Sequence, residues 1–199
     1  DKNLLVKNSK LEFSKVFLIP GSGIELENYK KTNFPIKPVI LFPARLLISK
    51  GIVEFIQCAK ILKNKFKFAI VGMLDKDNPD CISESKFKEW LDSEIIEYWG
   101  YSHNMSETFS KCSIVVLPSY REGFPKVLME AAACGRPVIT TDVPGCRDAI
   151  CPNKTGLLVP LKNYAAIAKS INYLMSNRVV LEKMSIASRK LAIEKLSIK

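Results

Sequence analysis

The sequence of 199 residues is poor in histidine, which is both a common metal ligand and a common acid–base catalyst. It contains a single histidine, His103, and its six cysteines include no Cys-x-x-Cys pair. A structural zinc site needs about four clustered Cys or His ligands, so the sequence argues against one. The cysteines lie mostly within apolar patterns, which predicts buried, reduced thiols in a cytosolic protein. They are Cys58, Cys81, Cys112, Cys134, Cys146 and Cys151.

Long apolar runs are also missing. No stretch approaches the roughly 20 consecutive apolar residues that span a bilayer, and residues 1–15 carry no signal-peptide pattern. Because the chain begins with Asp1 and not with Met, we expect a fragment of a longer protein. We expect it in the cytoplasm, with peripheral contact at the inner face of the cell membrane as an open alternative.

The charge of the chain is strongly positive, with a formal net charge of +10. Three classes of partner fit such a charge: nucleic acid, an anionic membrane surface and phosphorylated small substrates. The lysines are scattered, and there is neither a basic run nor a basic-aromatic RNA-binding motif. We therefore predict no nucleic-acid partner and leave the other two classes open, beside simple solvation of the charges.

Short apolar runs alternate with segments of helical period along the chain. The predicted strands cover residues 16–19, 39–42, 66–71, 95–99, 114–117, 137–140 and 157–159. The predicted helices cover residues 51–63, 83–91, 104–111, 126–134, 164–175 and 178–196. The strands are uninterrupted apolar runs, which is typical of strands buried on both faces. The sequence predicts an α/β fold, a parallel sheet with helices on both faces that binds ligands beyond the carboxyl ends of its strands.

The first of the loops at that edge contains Gly21, Ser22 and Gly23. Two glycines around a serine let backbone N–H groups approach an anion closely. The loop is neither a Rossmann fingerprint, which needs a third glycine, nor a Walker loop, which needs Gly-Lys-Ser/Thr. A plain turn is the alternative.

Two cations, Arg45 and Lys50, lie between the end of the second predicted strand and the start of a helix. A phosphate group fits this position, because the helix dipole adds to the attraction of the side chains. Arg45 can form a bidentate fork and Lys50 supplies a point charge. Two solvated surface cations are the alternative.

Two glutamates follow the strand at residues 114–117. Glu122 lies in a loop, whereas Glu130 lies roughly 7 Å along the helix that Pro125 opens. The two carboxylates are therefore predicted to hold separate parts of one elongated ligand, with free N–H donors near Gly123 between them. The neighbours of Glu130 indicate a buried helix, where an acid needs a partner.

Two further features are predicted to have no part in chemistry. Asp75, Lys76 and Asp77 have the spacing of a metal-diphosphate motif, but they stand in a polar stretch that predicts a solvated turn. His103 has no acid or nucleophile beside it in the sequence, so we expect a place at the surface or at the rim of a ligand site.

In combination these motifs resemble the signature of glycosyltransferase family four. The resemblance rests first on Glu122 and Glu130, with seven residues between them, and on the intervening residues 123–125, Gly-Phe-Pro. It extends to residues 20–23, to Arg45 with residues 50–51, to residues 100–101 and to residues 117–145. The last stretch is similar to bacterial surface-polysaccharide transferases.

The resemblance implies a Rossmann-like second domain of a two-domain protein of the GT-B type. Residues 1–15 would end the crossing between domains, residues 16–177 would bind the nucleotide sugar, and residues 178–199 would form a helix that packs toward a missing acceptor domain. Such a fragment would bind donor but would not turn over. The implied partners are a nucleotide sugar and a saccharide or lipid-linked acceptor.

The resemblance also implies a role for each site residue. Arg45 and Lys50 would stabilise the leaving diphosphate without a metal or other cofactor, Glu122 would face the sugar, and the anomeric configuration would be retained by attack on the same face. The best estimate of the donor is a UDP-linked hexose or N-acetylhexosamine. The implied donor-binding set is Gly21, Ser22, Gly23, Gly72, Gly100, Tyr101, Gly123, Phe124, Pro125, Val127 and Glu130, with Glu130 on the ribose hydroxyls.

Other functions remain as alternatives. A glycoside hydrolase could use Glu122 and Glu130 as acid and base, although their loop-to-helix spacing and the cation pair speak against it. A sugar phosphorylase or a nucleotide-sugar epimerase of the same fold is a second alternative, and the phosphorylase would need a lysine-bound pyridoxal cofactor that no residue indicates. A non-catalytic nucleic-acid-binding domain is a third, based on charge alone.

Overall fold

The computed structural model describes residues 6–9, 11–17 and 21–198, and its centre is a six-stranded parallel sheet. The strands are β1 Val39–Pro43, β2 Lys67–Val71, β3 Glu97–Tyr98, β4 Ile114–Leu117, β5 Val138–Thr141 and β6 Gly156–Val159. Their spatial order is β3-β2-β1-β4-β5-β6, and each neighbouring pair is parallel. This is the order of a doubly wound, Rossmann-like sheet, so the predicted fold class is confirmed.

Helices connect the strands. They are α1 Ile52–Leu62, α2 Glu84–Asp92, α3 Met105–Ser110, α4 Lys126–Ala133, α5 Pro144–Asp148, α6 Tyr164–Ser176 and α7 Arg178–Leu191. Short 3-10 turns occupy Phe13–Lys15, Leu26–Asn28 and Ile48–Lys50, and a π-helical turn occupies Ala192–Leu196. Ser83, Asn104 and Asn163 each cap a helix, because their side chains accept a hydrogen bond from a backbone N–H of the first turn.

The sheet separates two apolar cores. In β1, Ile40 and Phe42 point to the core that contains side chains of α1, α2, α6 and α7. Val39 and Leu41 point to the other core, which contains side chains of α3, α4 and α5. Strand residues therefore alternate between two buried faces, and this explains the uninterrupted apolar runs in the sequence.

Two sequence-based predictions differ from the structure, and one helix was not predicted. The predicted strand at residues 16–19 is wrong for Val16 and Phe17, which belong to no strand, and its other two residues lie outside the described residues. The strand predicted at 95–99 is reduced to Glu97–Tyr98, because this edge strand pairs with β2 only at those two positions. Helix α5 was not predicted, although Pro144 at its start is typical of a first helical turn.

The six cysteines are all free thiols. Cys58, Cys112, Cys134 and Cys146 are buried, whereas Cys81 and Cys151 are half-buried. Burial raises the pKa of Cys58 and of Cys112 to about 12, which keeps these thiols protonated and unreactive.

The last helix packs against the rest of this domain. Leu181, Met184, Ser185 and Ser188 of α7 are buried, and the backbone N–H of Ile24 donates to the carbonyl of Leu196 at 2.9 Å. Contact of this segment with a further domain stays a prediction. Within the described residues, no helix has the length and the apolar character needed to cross a membrane.

Candidate functional site

The strand order reverses between β1 and β4. Helix α1, which follows β1, packs on one face of the sheet, whereas α4, which follows β4, packs on the other. The two loops therefore separate at the carboxyl edge and leave a groove between them. In open α/β sheets this crevice is the usual position of a ligand site.

An ion pair joins the two loops. Lys50 Nζ lies 2.6 Å from Glu122 Oε1, and Ser119 Oγ donates to the same oxygen at 2.7 Å. The Lys50 and Glu122 side chains are only 23% and 11% exposed. Residues that lie 72 positions apart in the sequence are thus brought into direct contact.

The position of Lys50 is a consequence of the turn that carries it. The 3-10 turn Ile48–Lys50 ends at Gly51, whose left-handed backbone (φ 79°) allows α1 to begin at once. The backbone N–H of Tyr120 donates to the carbonyl of Ser49 at 2.7 Å and ties the turn to the loop after β4. Lys50 is therefore held at the mouth of the groove.

Arg45 has a partner that the sequence did not predict. Its Nη1 lies 2.6 Å from Asp75 Oδ2, in the loop after β2. The predicted turn forms, because the N–H of Asn78 donates to the carbonyl of Asp75 at 2.9 Å, but its side chains are paired, since neighbouring Lys76 also pairs with Glu84. Among the described residues, no group of three or more His, Cys, Asp or Glu side chains could hold a metal ion.

Glu130 has the partner that its burial requires. The residue is 8% exposed, and the Tyr29 hydroxyl donates to Glu130 Oε1 at 2.7 Å. Lys126 Nζ, one helical turn away, lies 4.0 Å from the same oxygen. Burial, followed by the hydrogen bond to Glu130, raises the pKa of Tyr29 well above its usual value, so its hydroxyl remains a donor.

Adjoining cavities bring most of the predicted residues together. A cavity of about 360 Å³ lies along Arg45, Gly72, Tyr101, Val127 and Glu130. A smaller one of about 220 Å³ is lined by Arg45, Lys50, Glu122, Pro125 and Val127. A third, of about 1050 Å³, lies on the other side of Glu122 and is lined in part by Gly21, Gly123 and Phe124.

Three predicted donor-binding residues do not line these cavities. Gly23 packs against Ile198 at the carboxyl-terminal end of the described chain, and Ser22 is exposed beside it. Gly100 supports the groove only indirectly, because its carbonyl accepts from the N–H of Gly72 at 2.9 Å. The predicted residues that line the cavities thus come from the two charged loops and α4, whereas the turn that contains Gly21, Ser22 and Gly23 contributes only in part.

His103 lies at the rim of the groove. Its ring contacts that of Tyr101 edge to face, with centroids 4.8 Å apart. Both residues line a further cavity of about 420 Å³ that extends toward Glu107 and Lys111. This is the peripheral position expected from the sequence.

Sequence reasoning missed four residues that line the groove or contact its side chains. Lys126 could have been identified, because it stands four positions before Glu130 on the predicted helix. Ser119, three positions before Glu122, is close enough for a local side-chain contact. Tyr29 gave no signal, and the spacing of Asp75 and Asp77 gave no indication of Arg45, because each residue reaches its partner through the fold and not through sequence proximity.

The family model described as glycosyl transferases group 1 matches residues 25–191. The chain belongs to this family. This confirms the resemblance drawn from the glutamate pair, and it favours a group 1 glycosyltransferase over the hydrolase, epimerase and nucleic-acid alternatives.

Individual relatives agree with the family. Over 86% of its length the chain is 34% identical to N,N'-diacetylbacillosaminyl-diphospho-undecaprenol alpha-1,3-N-acetylgalactosaminyltransferase of Campylobacter jejuni, covering 48% of that protein. Over 94% it is 30% identical to the capsular polysaccharide biosynthesis glycosyltransferase CapM of Staphylococcus aureus, covering 49% of it. The chain thus spans about half the length of these group 1 relatives.

A solved structure shows the same fold. It is a mutant of S. aureus TarM in complex with fondaparinux, alpha-GlcNAc-glycerol and UDP. The similarity has a TM-score of 0.83 at 24% identity and covers 98% of this chain and 39% of that one.

Proposed function

We propose that this group 1 chain is the donor-binding half of a retaining glycosyltransferase. The whole enzyme would transfer a sugar from a nucleoside diphosphate sugar to a saccharide or lipid-linked acceptor in surface-polysaccharide biosynthesis. The observation that carries the proposal is the convergence of Arg45, Lys50, Glu122 and Glu130 on adjoining cavities at the strand-order reversal.

The two cations supply the electrostatics that a departing diphosphate needs. Negative charge grows on the leaving group as the bond to the sugar breaks, and preorganised cations in a groove stabilise that charge. Arg45 and Lys50 line the same small cavity. We propose that they carry out this role without a metal ion or other cofactor.

Glu130 is proposed to bind the ribose. A carboxylate accepts hydrogen bonds only, so vicinal hydroxyl groups are well matched to it. Glu130 lines the cavity of about 360 Å³ together with Gly72 and Tyr101. The nucleoside would lie there, with the diphosphate extending toward Lys50.

Glu122 is proposed to face the sugar. Its Oε1 already accepts from both Lys50 and Ser119. A carboxylate neutralised by a cation and a hydroxyl is a weak nucleophile, and this supports attack by the acceptor on the face from which the diphosphate departs. Retention would then occur without a covalent sugar intermediate.

The relatives support the choice of substrates. The name of the Campylobacter relative specifies transfer of N-acetylgalactosamine to a sugar linked to diphospho-undecaprenol. UDP is present in the TarM structure of the same fold. We propose a uridine donor on this basis, and an acceptor that would bring the whole enzyme to the cytoplasmic face of a membrane.

The proposal predicts that UDP stabilises the chain against heat. At about 100 times the Kd, a ligand raises the free energy of unfolding by about 2.7 kcal/mol, which in a domain of this size corresponds to roughly 5–11 °C. Differential scanning fluorimetry with and without EDTA is the measurement. The shift is expected to be the same in both, because no metal is required.

A comparison of UDP with inorganic pyrophosphate distinguishes a nucleotide site from a surface that binds any anion. Inorganic pyrophosphate tests the cations alone, and Glu130→Ala tests the ribose contact. The variant should lose most of the response to UDP and keep the response to pyrophosphate. Equal shifts with UDP and with pyrophosphate in both proteins would mean that any polyanion binds, and would refute the proposal.

Asp75 is predicted to compete with the ligand for Arg45. An exposed ion pair of this kind contributes about 0.2–1 kcal/mol, so Asp75→Asn should tighten UDP binding by about 1.4- to fivefold in calorimetry at low salt. Asp77→Asn is the control, because it removes the same charge from an exposed neighbour in the same turn. Equal tightening by both substitutions would assign the effect to overall charge and not to the pair.

A further inference from the structure

The contact between Tyr29 and Glu130 joins residues that are 101 positions apart. The hydroxyl of Tyr29 occupies Glu130 Oε1, whereas Oε2 accepts no hydrogen bond from the residues that the structure describes. Among the described residues, Oε2 is not one of the fully buried polar atoms that lack a hydrogen-bond partner. It therefore remains accessible from the groove that Glu130 lines.

We propose that Tyr29 is a positioning residue for nucleoside recognition. Its hydroxyl holds one oxygen of Glu130, so that the other oxygen faces the groove and accepts hydrogen bonds from the ribose hydroxyls of the nucleotide. The inference rests on the proposed function, because it requires a nucleoside diphosphate in this groove.

A free glutamate at this position would not be fixed. Glutamate loses considerable rotamer freedom when it is ordered, and the other neighbouring polar group, Lys126 Nζ, lies at 4.0 Å from Oε1. The Tyr29 hydroxyl, at 2.7 Å, is therefore the short contact that fixes the carboxylate. A fixed acceptor discriminates between ligands with and without a hydroxyl group, because the acceptor cannot turn to another partner.

The segment that carries Tyr29 is itself held in place. Arg189 Nη1 of α7 donates to the carbonyl of Tyr29 at 2.8 Å and to that of Ala133, the last residue of α4, at 2.6 Å. The same arginine thus fastens the Tyr29 backbone to the helix on which Glu130 lies. The Tyr29 ring also packs against both apolar clusters that contain α4 side chains.

A buried arginine fastens the next residues of the segment. Arg136 is 0% exposed, and its Nη2 donates to Thr32 Oγ1 and to the carbonyl of Asn33. Its guanidinium also lies over the ring of Phe34, at 5.1 Å from the centroid. Among the described residues, no carboxylate pairs with Arg136. The contacts of this buried cation therefore serve to hold residues 32–34 in place.

The chain offers a chemically matched control. The hydroxyl of Tyr120 donates to Glu54 Oε1, also at 2.7 Å, and Glu54 is 8% exposed like Glu130. Burial raises the pKa of Tyr120 above its usual value in the same way. Glu54, however, lines none of the groove cavities, and Tyr120 lines only the third cavity, beside Glu122, and not the cavity of Glu130. Tyr120→Phe therefore removes the same kind of bond away from the proposed ribose site.

Calorimetric titration of the 199-residue chain with UDP, 2′-deoxy-UDP and 3′-deoxy-UDP tests the inference. The quantity of interest is the ratio of the Kd of each deoxy nucleotide to the Kd of UDP. Tyr29→Phe should lower the larger of the two wild-type Kd ratios by about tenfold. This change lies within the range of coupling energies between members of one hydrogen-bond network. Tyr120→Phe should leave the ratio unchanged.

A second variant distinguishes positioning from a general loss of structure. If Tyr29 acts through Glu130, Tyr29→Phe should weaken UDP binding in the wild-type chain but have no effect in a Glu130→Ala background. An equal effect in both backgrounds would overturn the inference, and so would an unchanged ribose ratio in Tyr29→Phe. The double variant also avoids an unpaired buried carboxylate, so it remains informative if Tyr29→Phe alone folds poorly.

The outcomes distinguish a failure of the role of Tyr29 from a failure of the proposed function. A wild-type chain that binds UDP and prefers it over a deoxy nucleotide, with no change in Tyr29→Phe, would overturn the role of Tyr29 and leave the proposed function standing. A wild-type chain that does not bind UDP would overturn both.

Discussion

Replacing Lys50 by alanine is expected to weaken UDP binding by at least about 30-fold, the largest binding effect predicted for a single side chain. Loss of one member of a desolvated charge pair costs about 2 kcal/mol or more, and 1.4 kcal/mol corresponds to about a tenfold change in Kd. Two effects act together, because the diphosphate loses a cation and Glu122, only 11% exposed, loses its counter-charge. Calorimetric titration with UDP is the measurement.

Lys60→Ala is the control for this substitution. Lys60 is an exposed cation on α1, the helix that begins next to Lys50. Its removal lowers the net charge by the same amount but affects only long-range attraction, which salt screens. A similar loss of affinity in both variants would mean that the overall positive charge, and not the groove, attracts the nucleotide.

Gly51→Ala is expected to lower the free energy of unfolding by about 2–5 kcal/mol. A left-handed backbone costs a residue with a side chain about 1–2 kcal/mol, and overpacking adds about 1–3 kcal/mol. At φ 79°, a Cβ on Gly51 would lie 2.3 Å from the carbonyl oxygen of Pro118. The melting temperature should fall by roughly 4–20 °C in calorimetric or fluorimetric melting.

Two other glycines distinguish the effect of backbone strain from that of steric overlap with Pro118. Gly100 also has a positive φ of 73°, but nothing lies within 4 Å of an added Cβ, so Gly100→Ala measures backbone strain alone. Gly123 has neither a positive φ nor a neighbour within 4 Å, so Gly123→Ala should change stability least. The order of destabilisation should be Gly51, then Gly100, then Gly123. A Gly51→Ala protein as stable as Gly100→Ala would show that the contact with Pro118 is not tight.

The fold could be predicted from the sequence because buried parallel strands have a local signature. Residues 39–42 are apolar without interruption, and the strand observed there is Val39–Pro43. The predicted helix at 51–63 is observed as Ile52–Leu62. The prediction failed where pairing decides the outcome, at the edge strand Glu97–Tyr98, because edge pairing depends on the neighbouring strand and not on local composition.

The candidate site could be predicted only in part. Arg45, Lys50, Glu122 and Glu130 could be found because each lies in a loop or within the first two turns of a helix at the carboxyl edge of the sheet. Their partners could not be found in the same way. The bond between Tyr29 and Glu130 depends on how a segment without regular structure crosses α4, and no periodic pattern encodes that path.

The edge of the sheet opposite the groove has its own practical value. The turn between α1 and β2 at residues 63–65 and the turn after α2 at residues 92–94 are exposed and belong to the amino-terminal ends of their strands. Exposed turns of this kind tolerate inserted segments better than packed ones. A fluorophore or an affinity tag placed there would report on the domain or immobilise it while leaving the groove open to solvent.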